Sequence, residues 1–462
     1  MGHGRAVRQK SSQQLELALE ARGEAPRGQS SGEARTTFHG RESSGNGHRN
    51  LMEQVIERAN MLAAYRRVKQ NQGSPGVDGM SVDDLAEHLT RQWETTREQL
   101  LTGTYRPQPV KRQDIPKPGG GRRTLGIPTV MDRLIQQCLL QVLQPIFDPT
   151  FSEHSYGFRP GRSAHDAVRA AQSYIQSGRR WVADVDLEKF FDRVNHDVLM
   201  ERLNRRIGDR RVLRLIRRYL EAGVMSNGVV VERHEGTPQG GPLSPLLANV
   251  LLDEVDKELE KRGLAFARYA DDLNVYTGSK RAARDAMVTL KKLFGALRLR
   301  VNEAKSTVTW AGACKFLGYS FWVAKGRVVR PRVAPAALAE MKHRVRRITS
   351  RSGGRSLGTV AKELRAYLTG WGLYFQLAET PRVFRSLDEW IARRLRMVQL
   401  KQWKRGTTVY RELRSRNVPE SVARGAAAHA RRWWAIAAHG GLQTALPISY
   451  FDRLGVPRLA GR

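Results

Sequence analysis

Two short segments of this chain carry aspartates whose spacing suits metal-assisted phosphoryl chemistry. In residues 266–278, strand-like flanks surround an acidic turn that presents Asp271 and Asp272 at its tip. Adjacent unpaired carboxylates repel each other and raise a pKa, so such a pair on rigid strands suggests a divalent cation that neutralises both. A solvated polar hairpin turn would be the simpler interpretation if this segment stood alone.

A third carboxylate comes from residues 181–197, which begin as a second strand. There Val182, Asp184 and Asp186 share one face at period two. Two Mg²⁺ ions about 3.5–4 Å apart, bridged by carboxylates of two strands, can activate an attacking hydroxyl and stabilise the leaving oxygen of an in-line displacement. The pattern therefore predicts nucleotidyl transfer.

The elements that must position these aspartates indicate an α+β organisation. Over residues 181–277, short β-rich runs alternate with helical stretches. Upstream, the patterns predict an amphipathic helix at 51–68, a helix that begins with Ser81 as its cap, a hairpin at 104–128 with three glycines in its turn, and a helix at 131–146.

The charge composition indicates a polyanionic partner. Lys and Arg number 79 against 45 Asp and Glu, which leaves a net charge of +34. Such a surplus favours nucleic acid, because cations along a phosphate backbone release its condensed counterions. From residue 323 onward there are 29 basic and 8 acidic residues, a surplus of +21, and we expect a domain boundary at 323–333.

Cysteine usage and hydropathy argue against a disulfide-stabilised, cysteine-zinc, secreted or membrane-spanning protein. Cys138 and Cys314 form no C-x-x-C pair, so neither a disulfide framework nor a cysteine zinc site is expected. Neither a signal peptide nor a run of roughly 18 apolar residues is found, so we expect a protein that stays inside the cell and does not enter the membrane. Residues 1–48, rich in Gly, Ser, Arg and Gln, are expected to form a disordered basic tail.

Eight motifs, taken in chain order, resemble a single family. They are NQGSPGVDG (71–79), IPKPGGGRRTLGIP (115–128), SYGFRPGRSAHDA (155–167), DLEKFF (186–191), PQGGPLSPLLAN (238–249), YADD (269–272), LRVNEAKS (299–306) and FLGYSF (316–321). Together they are similar to bacterial group II intron-encoded reverse transcriptases and maturases. The resemblance extends from about residue 50 to the C-terminus.

The resemblance implies an α+β right-hand polymerase with fingers, a palm that contains an antiparallel sheet, a helical thumb and a short basic C-terminal segment. The expected domains are a disordered basic tail (1–48), fingers with an N-terminal extension (49–180), a palm with parts of the fingers (181–325), a helical thumb and maturase RNA-binding domain (326–425) and a C-terminal nucleic-acid-binding segment (426–462). Residues 430–459 lack the Cys/His spacing of an HNH endonuclease. In this absence the chain resembles the compact group IIC-type proteins.

Carried over by position, the resemblance implies that Asp186, Asp271 and Asp272 are catalytic and hold two Mg²⁺ ions, with Mn²⁺ as a possible substitute. Asp184 is the alternative to Asp186. The family pattern favours Asp186, because an aromatic residue, Phe191, follows five positions later.

The same resemblance implies a set of dNTP contacts. Lys117 and Arg123 of the fingers hairpin would bind the triphosphate, Phe191 would exclude a 2′-hydroxyl as a steric gate, Gln239 would contact the sugar or primer end, and Lys305 would assist departure of pyrophosphate. Packing in the core is the alternative for Phe191, although Phe190 is the better core candidate.

Further basic residues are assigned to the template and to structured RNA. Arg159 and Arg162 would follow template phosphates from an exposed turn. The RNA contacts expected in the C-terminal region are Arg393, Arg394, Arg396, Lys404 and Arg405. They alternate with Trp371, Tyr374, Trp390 and Trp403, which can stack on bases or pack in the helical core.

The function implied is an RNA-directed DNA polymerase that extends a DNA primer on an RNA template with dNTPs. It would also bind its group II intron RNA, assist splicing, and reach target DNA during intron mobility, in the bacterial cytoplasm close to the nucleoid. Two alternatives stay open, a domesticated reverse transcriptase in DNA repair and a splicing-only RNA-binding maturase. The sequence leaves the oligomeric state undecided.

The choice between Asp184 and Asp186 can be tested by primer extension. Asp186→Asn is expected to abolish extension because it removes a metal-binding charge, whereas Asp184→Asn should retain activity. Equal survival of both variants would refute the assignment.

Overall fold

Apolar residues build two separate hydrophobic cores in this chain, one before Trp310 and one after it. The computed structural model describes residues 48, 50–116, 122–226, 229–231, 235–237 and 240–461. They divide into a first unit that ends at Trp310 and a second that begins at Ala311, each with its own core. The predicted tail, 1–48, lies outside the described residues except for His48.

The first unit contains both the helices and the strands that surround the aspartates. Its helices are α1 (Leu51–Val55), α2 (Arg58–Asn71), α3 (Leu85–Thr102), α4 (Val130–Phe147), α5 (Ala164–Gln176), α6 (His196–Asn204), α7 (Arg210–Glu221), α8 (Ser244–Lys261) and α9 (Lys280–Ala296). Its strands are β1 (Val110–Pro116), β2 (Arg122–Ile127), β3 (Trp181–Val185), β4 (Val224–Ser226), β5 (Val229–Val231), β6 (Ala265–Tyr269), β7 (Asp272–Thr277) and β8 (Thr307–Trp310).

Four of these strands form the palm sheet, in the order β6-β7-β3-β8, with every neighbouring pair antiparallel. The centres of its strands are buried on both faces: Val182, Ala183 and Val275 are each 0% exposed. This burial fixes the register, because a slip by one residue would move every side chain to the opposite face. The sheet is therefore a rigid base for residues at its strand ends.

A second sheet of the first unit has the order β2-β1-β4-β5. Strands β1 and β2 pair antiparallel from Lys111 and Ile127 to Pro116 and Arg122, which confirms the predicted hairpin. Lys117 and the three glycines of its turn lie outside the described residues.

The predicted helix starts differ from those observed. The helix expected at 51–68 is two helices, α1 and α2, and the one expected to begin at Ser81 begins at Leu85. Asp84 is its N-cap residue and accepts hydrogen bonds from the backbone N–H and hydroxyl of Ser81 at 2.9 and 2.6 Å. The Asp84 side chain makes no hydrogen bond to the first N–H groups of α3, so these bonds close the turn that precedes the helix.

The second unit joins a small antiparallel sheet to a set of helices. Its strands, in the order β11-β10-β9, are β9 (Lys315–Phe316), β10 (Tyr319–Val323) and β11 (Val329–Val333). Its helices are α10 (Pro335–Ile348), α11 (Leu357–Tyr374), α12 (Pro381–Trp403), α13 (Gly406–Arg414), α14 (Glu420–Ala428), α15 (Trp433–Ile436), α16 (Gly440–Ala445) and α17 (Ile448–Arg453).

One hydrophobic cluster runs through these helices, from Met341 to Leu459. Residues 426–462 therefore share a core with the helices before them. The observed division at Trp310 also lies N-terminal to the boundary expected at 323–333, because β9, β10 and β11 belong to the second unit. The five domain limits given above stay predictions.

The α+β fold class is confirmed. Both cysteines, Cys138 and Cys314, are buried. Within the described residues, every helix is too short or too polar to span a membrane.

Candidate active site

The register of the palm sheet brings aspartates of two neighbouring strands level with each other. Strands β3 and β7 pair with Asp184 opposite Asn274 and Val185 opposite Leu273. Continuing this register by one step sets Asp186 level with Asp272. Residues directly opposite on antiparallel strands have Cβ atoms about 4.5–5.5 Å apart, a separation at which two carboxylates can share cations.

Asp271 lies in the tight turn that joins β6 to β7. Tyr269 and Asp272 are paired, which leaves Ala270 and Asp271 as the two-residue loop. Ala270 has a φ of +56°, a left-handed conformation that costs an L-residue with a Cβ roughly 1–2 kcal/mol. Such strain persists only where surrounding contacts enforce it, and it is concentrated at functional sites.

The electrostatic setting of Asp271 combines burial with nearby charges of both signs. Burial raises the pKa of the Asp271 carboxyl above its ordinary value. The carboxylate of Asp186 raises this pKa further, whereas the guanidinium groups of Arg123 and Arg268 lower it. Asp186 and Arg123 therefore lie close enough to Asp271 to act on its charge.

The backbone around Asp186 is fixed by the segment 300–306. The Asp186 N–H donates to the Ser306 hydroxyl at 3.0 Å, and the Asp186 carbonyl accepts from the Asn302 N–H at 2.8 Å. The ammonium of Lys305 then lies 3.7 Å from Asp186 Oδ2. Lys305, assigned to the dNTP site, is thus next to one of the three aspartates.

Asp184 has a different environment. With the Asn274 amide oriented by its partners, the nitrogen donates to Asp184 Oδ1 at 2.9 Å and to the Leu273 carbonyl at 3.1 Å. Asn274 is 1% exposed, so Asp184 is tied to a buried side chain within the sheet. This contact favours Asp186 as the metal-binding residue of β3.

The donor set fits magnesium. Carboxylate oxygens are the hard ligands that Mg²⁺ prefers, usually one or two of them together with substrate phosphates and water. Among the described residues, no three His, Cys, Asp or Glu side chains are already gathered as a metal-binding cluster. The assignment of a Mg²⁺ site to Asp186, Asp271 and Asp272 therefore stays a proposal.

Phe190 and Phe191 follow the Asp186 strand end and have different burial. Phe190 is 2% exposed and belongs to the core, as predicted, whereas Phe191 is partly buried against it. Their rings meet edge to face with centroids 5.0 Å apart. The Phe191 carbonyl accepts from the Thr237 N–H at 2.7 Å, which joins Thr237 to the backbone of Phe191.

The two glycines of PQGG make close contacts with the fingers. A Cβ on Gly240, whose φ is +127°, would lie 2.8 Å from the Gly126 carbonyl oxygen, and one on Gly241 would lie 2.3 Å from Gln136 Oε1. Gly240 is restricted to glycine by the β2 backbone and by its positive φ, whereas at Gly241 the neighbouring atom is the end of a glutamine side chain, which can shift. Gln239 lies outside the described residues.

Similarity to known proteins agrees with this geometry. Residues 115–321 match the family described as reverse transcriptase (RNA-dependent DNA polymerase), and residues 338–416 match the group II intron, maturase-specific domain. Protein YkfC of Escherichia coli strain K12 is 34% identical over 274 residues, which cover 51% of this chain and 72% of YkfC. The chain belongs to the group II intron reverse transcriptase and maturase family. Its reverse transcriptase domain is that of an RNA-directed DNA polymerase, a nucleotidyltransferase.

Two further proteins are similar to parts of this reverse transcriptase. The group II intron-encoded protein LtrA of Lactococcus lactis subsp. cremoris is 38% identical over 208 residues, 44% of this chain and 34% of LtrA. A solved partial Cas6-RT-Cas1–Cas2 complex has 26% identity and a TM-score of 0.35 over 53% of this chain and 42% of that chain. The matching region thus spans about a third of LtrA.

The interpretation of Arg159 as an exposed template contact is corrected by the structure. Arg159 is 3% exposed, and its guanidinium donates to the Asp148 carboxylate at 2.9 Å and to the Ser152 and Ser155 carbonyls at 2.6 and 3.0 Å. It also donates to the Asp148 carbonyl at 2.9 Å. Its N–H groups hold the loop before α5 together and are not presented to a phosphate.

Arg162 and Phe158 of the same loop are closer to the surface. Arg162 forms an ion pair with the exposed Glu153, and its template role stays a prediction. Phe158 is 36% exposed with a φ of +59°, and its ring lies 6.2 Å from that of Tyr269 in the YADD turn. The loop therefore borders the active site of this reverse transcriptase.

The cations of α12 are divided between its interior and its surface. Arg396 is 7% exposed and donates to the Leu446 carbonyl at 2.9 Å, and burial lowers the pKa of its guanidinium. Arg394 donates to the Thr349 hydroxyl at 2.8 Å and to carbonyls at the end of α10. The assignment of Arg396 to RNA is thus wrong, since it is enclosed, and Arg394 is largely engaged within the protein.

Arg393 contributes to a surface that we call the α15 cation–aromatic surface, formed by Arg351, Arg393, Lys401, Trp433 and Trp434. The Arg393 guanidinium lies 4.0 Å from the Trp434 ring centroid, and Trp434 is 38% exposed. Arg351 and Lys401 lie 4.7 and 4.5 Å from the Trp433 ring. Cations and exposed indole on one surface suit phosphates and unpaired bases.

Lys404 and Arg405 are also exposed, in the link after α12. By contrast, Trp403 is 8% exposed and Tyr374 donates its hydroxyl to the Leu317 carbonyl at 2.9 Å. These two rings thus serve mainly in packing, one of the two alternatives open from sequence.

Sequence reasoning missed Arg268 and Trp434. Arg268 directly precedes the YADD turn and is 1% exposed. Because the chain contains many arginines, nothing in the sequence marks this one as buried. Trp434 is the second tryptophan of the RRWW run, and the doubled indole beside two arginines was the available signal.

The contact between Gly157 and the YADD turn yields a prediction. A Cβ on Gly157 would lie 2.3 Å from the Ala270 nitrogen and 2.9 Å from the Tyr269 carbonyl carbon. Gly157→Ala should therefore displace the turn and lower kcat in primer extension by about 100-fold. The matched control is Gly278→Ala, since a Cβ there meets nothing within 4 Å. Equal activity of the two variants would contradict the predicted displacement.

Proposed function

We propose that this chain is an active RNA-directed DNA polymerase that extends a DNA primer on an RNA template and also binds its group II intron RNA to assist splicing and mobility. The observation that supports it best is the register of β3 and β7, which sets Asp186 level with Asp272 while Asp271 lies in the adjoining turn. A solvated hairpin would not need a second acidic strand end beside it.

Positive charges at this site would promote nucleotidyl transfer. When bound, two Mg²⁺ ions supply activation of the primer 3′-hydroxyl and stabilisation of the leaving oxygen. Asp186, Asp271 and Asp272 would hold these ions, and Mn²⁺ would be able to substitute for Mg²⁺. Lys305, 3.7 Å from Asp186, and Arg123, close enough to lower the pKa of Asp271, supply positive charge where pyrophosphate accumulates negative charge.

The remaining dNTP contacts complete the proposal. Phe191, partly buried beside the strand end that carries Asp186, acts as the steric gate below the sugar. Lys117 and Gln239 contact the triphosphate and the sugar or primer end, by the family pattern. Arg123 is opposite Ile115 in the β1–β2 hairpin, and it binds the same triphosphate.

RNA recognition is assigned to exposed cations and aromatic rings. In the second unit these are the α15 cation–aromatic surface with Lys404 and Arg405, and in the first unit Arg162 borders the active site. Splicing assistance needs no catalytic residue of the protein, because basic surfaces can stabilise the folded intron. A location close to the nucleoid follows from the target DNA that mobility requires.

The test of the proposed function is Mg²⁺-dependent extension of a DNA primer on an RNA template. Asp271→Ala and Asp272→Ala should each lower the rate roughly 10³-fold, because each removes several kcal/mol of metal-dependent transition-state stabilisation. The control is Asp285→Ala, an exposed aspartate of α9, which should extend normally. Absence of product from the wild-type protein would remove the central claim, whereas intact RNA binding with an idle polymerase would favour a splicing-only maturase.

The α15 cation–aromatic surface gives a second test, by titration of intron RNA at several salt concentrations. Trp434→Ala should weaken binding about tenfold through lost stacking, with the salt slope unchanged. The double variant Lys404→Gln/Arg405→Gln should reduce that slope by about one to two. Leu373→Ala, which alters an exposed apolar residue of α11, serves as the control. Salt-insensitive binding, or an unchanged affinity of Trp434→Ala, contradicts the assignment.

A further inference from the structure

Arg268, the second-last residue of β6, is a buried charge with all five of its guanidinium N–H groups in use. It is 1% exposed, and its partner Asp256 on α8 is 0% exposed. Nε donates to both Asp256 oxygens at 2.8 and 3.0 Å, and Nη2 donates to Asp256 Oδ2 at 2.5 Å. A planar fork and a carboxylate match in this way without leaving a donor unsatisfied.

The remaining donors connect three parts of the first unit. Nη2 donates to the Ser155 hydroxyl at 2.7 Å, and Nη1 donates to Asn249 Oδ1 at 3.0 Å and to the Ala270 carbonyl at 2.9 Å. The loop before α5, the helix α8 and the YADD turn are thus bound to one side chain. Ala270 is the loop residue with positive φ, and its carbonyl belongs to the peptide that leads to Asp271.

Backbone contacts reinforce the same connection. The Arg268 N–H donates to the His154 carbonyl at 2.9 Å, and the Tyr156 N–H donates to the Arg268 carbonyl at 2.8 Å. Asn249 Nδ2 donates to the Gly157 carbonyl at 2.9 Å. The turn is therefore enclosed by Gly157 on one side and held by the Arg268 guanidinium on the other.

We propose that Arg268 is a positioning residue of the polymerase: anchored by Asp256, it holds the Ala270 carbonyl and so keeps the YADD turn in the strained conformation that presents Asp271 and Asp272. This inference rests on the proposed function for its kinetic consequence, but not for its structural one. An ion pair that served the core alone would need only Asp256, whereas Arg268 also binds the carbonyl adjacent to the catalytic carboxylates.

The test begins with Arg268→Lys, because lysine keeps a positive charge beside Asp256 but lacks the fork that reaches the Ala270 carbonyl. Truncation to alanine is avoided, since it would leave Asp256 buried without a counter-charge. The matched control is Arg211→Lys. Arg211 lies on α7 and is likewise paired with a buried carboxylate, that of Asp209. Circular dichroism and thermal unfolding establish that both variants fold.

Amide hydrogen exchange of the peptide 264–273, without metal or nucleic acid, reports on the turn directly. Arg268→Lys should accelerate its exchange about tenfold through local opening, while Arg211→Lys leaves it unchanged. In primer extension Arg268→Lys should lower kcat about tenfold and raise the Mg²⁺ concentration needed for half-maximal rate, with KM for the primer–template unchanged. If Arg268 served only the stability of the fold, Arg268→Lys would not raise the Mg²⁺ requirement while leaving KM for the primer–template unchanged.

The decisive measurement is rescue. Glycine adopts a positive φ without the steric cost that alanine carries, so Ala270→Gly added to Arg268→Lys should restore a large part of kcat and of the Mg²⁺ response. Unchanged exchange of the turn in Arg268→Lys, or a loss that Ala270→Gly does not relieve, overturns the proposal.

A second variant covers the case in which Arg268→Lys does not fold. Asn249→Ala leaves the Arg268–Asp256 ion pair intact and should accelerate exchange of the turn about threefold, by a smaller local opening. No acceleration in this variant overturns the proposal. Failure of the wild-type protein to polymerise would remove the proposed function but would leave the exchange result standing.

Discussion

Aspartates of like charge must be held close together before any cation binds, and the register of the palm sheet meets this constraint. At 4 Å two unit charges repel by about 1 kcal/mol in water and by about 4 kcal/mol at the effective dielectric constant near a protein surface. The strands that carry Asp186 and Asp272 are fixed against slippage by buried residues such as Val182, Ala183 and Val275. Burial of these apolar side chains offsets the repulsion, so the sheet can maintain the geometry without metal.

Cations placed around the aspartates reduce the same repulsion. Lys305 forms an ion pair with Asp186, and Arg123 and Arg268 both lower the pKa of Asp271. They act from different places: Arg123 from the exposed fingers hairpin, Lys305 from the segment after α9, and Arg268 from the interior. Mobile or exposed cations can exchange partners when a triphosphate arrives, whereas the enclosed Arg268 retains its partners. A permanent structural charge and exchangeable charges thus have separate roles at one site.

The sequence allowed the palm chemistry to be predicted because its signals are local. The adjacent pair Asp271 and Asp272 with strand-like flanks, and the period-two placement of Asp186, depend on residues near in the chain. The β1–β2 hairpin is predicted for the same reason. Non-local contacts carry no such signal. Arg268 binds Ser155, 113 residues away, and Asp256, 12 residues away on another element, and no periodicity connects either of them to it.

The same limit explains the errors. Arg159 follows glycine and proline punctuation that is typical of exposed turns, yet a carboxylate and three backbone carbonyls around it offer more than water does, so the side chain turns inward. The start of α3 is predicted at Ser81 because a serine hydroxyl can cap a helix. The regular helix begins at Leu85 instead, after a turn that the Ser81–Asp84 hydrogen bonds close.

Arginine counts therefore overstate the surface available to RNA. The surplus of +21 from residue 323 onward includes Arg396, which satisfies a backbone carbonyl inside the second core, and Arg394, which completes the C-terminal end of α10. A helix end leaves carbonyls without partners, and an arginine fork reaches them more easily than lysine does. Such residues let short helices pack closely, while Lys404 and Arg405 keep their charge at the surface. A basic composition thus reflects two demands, the closing of helix ends within the fold and the binding of phosphate outside it, and only the burial of each side chain tells them apart.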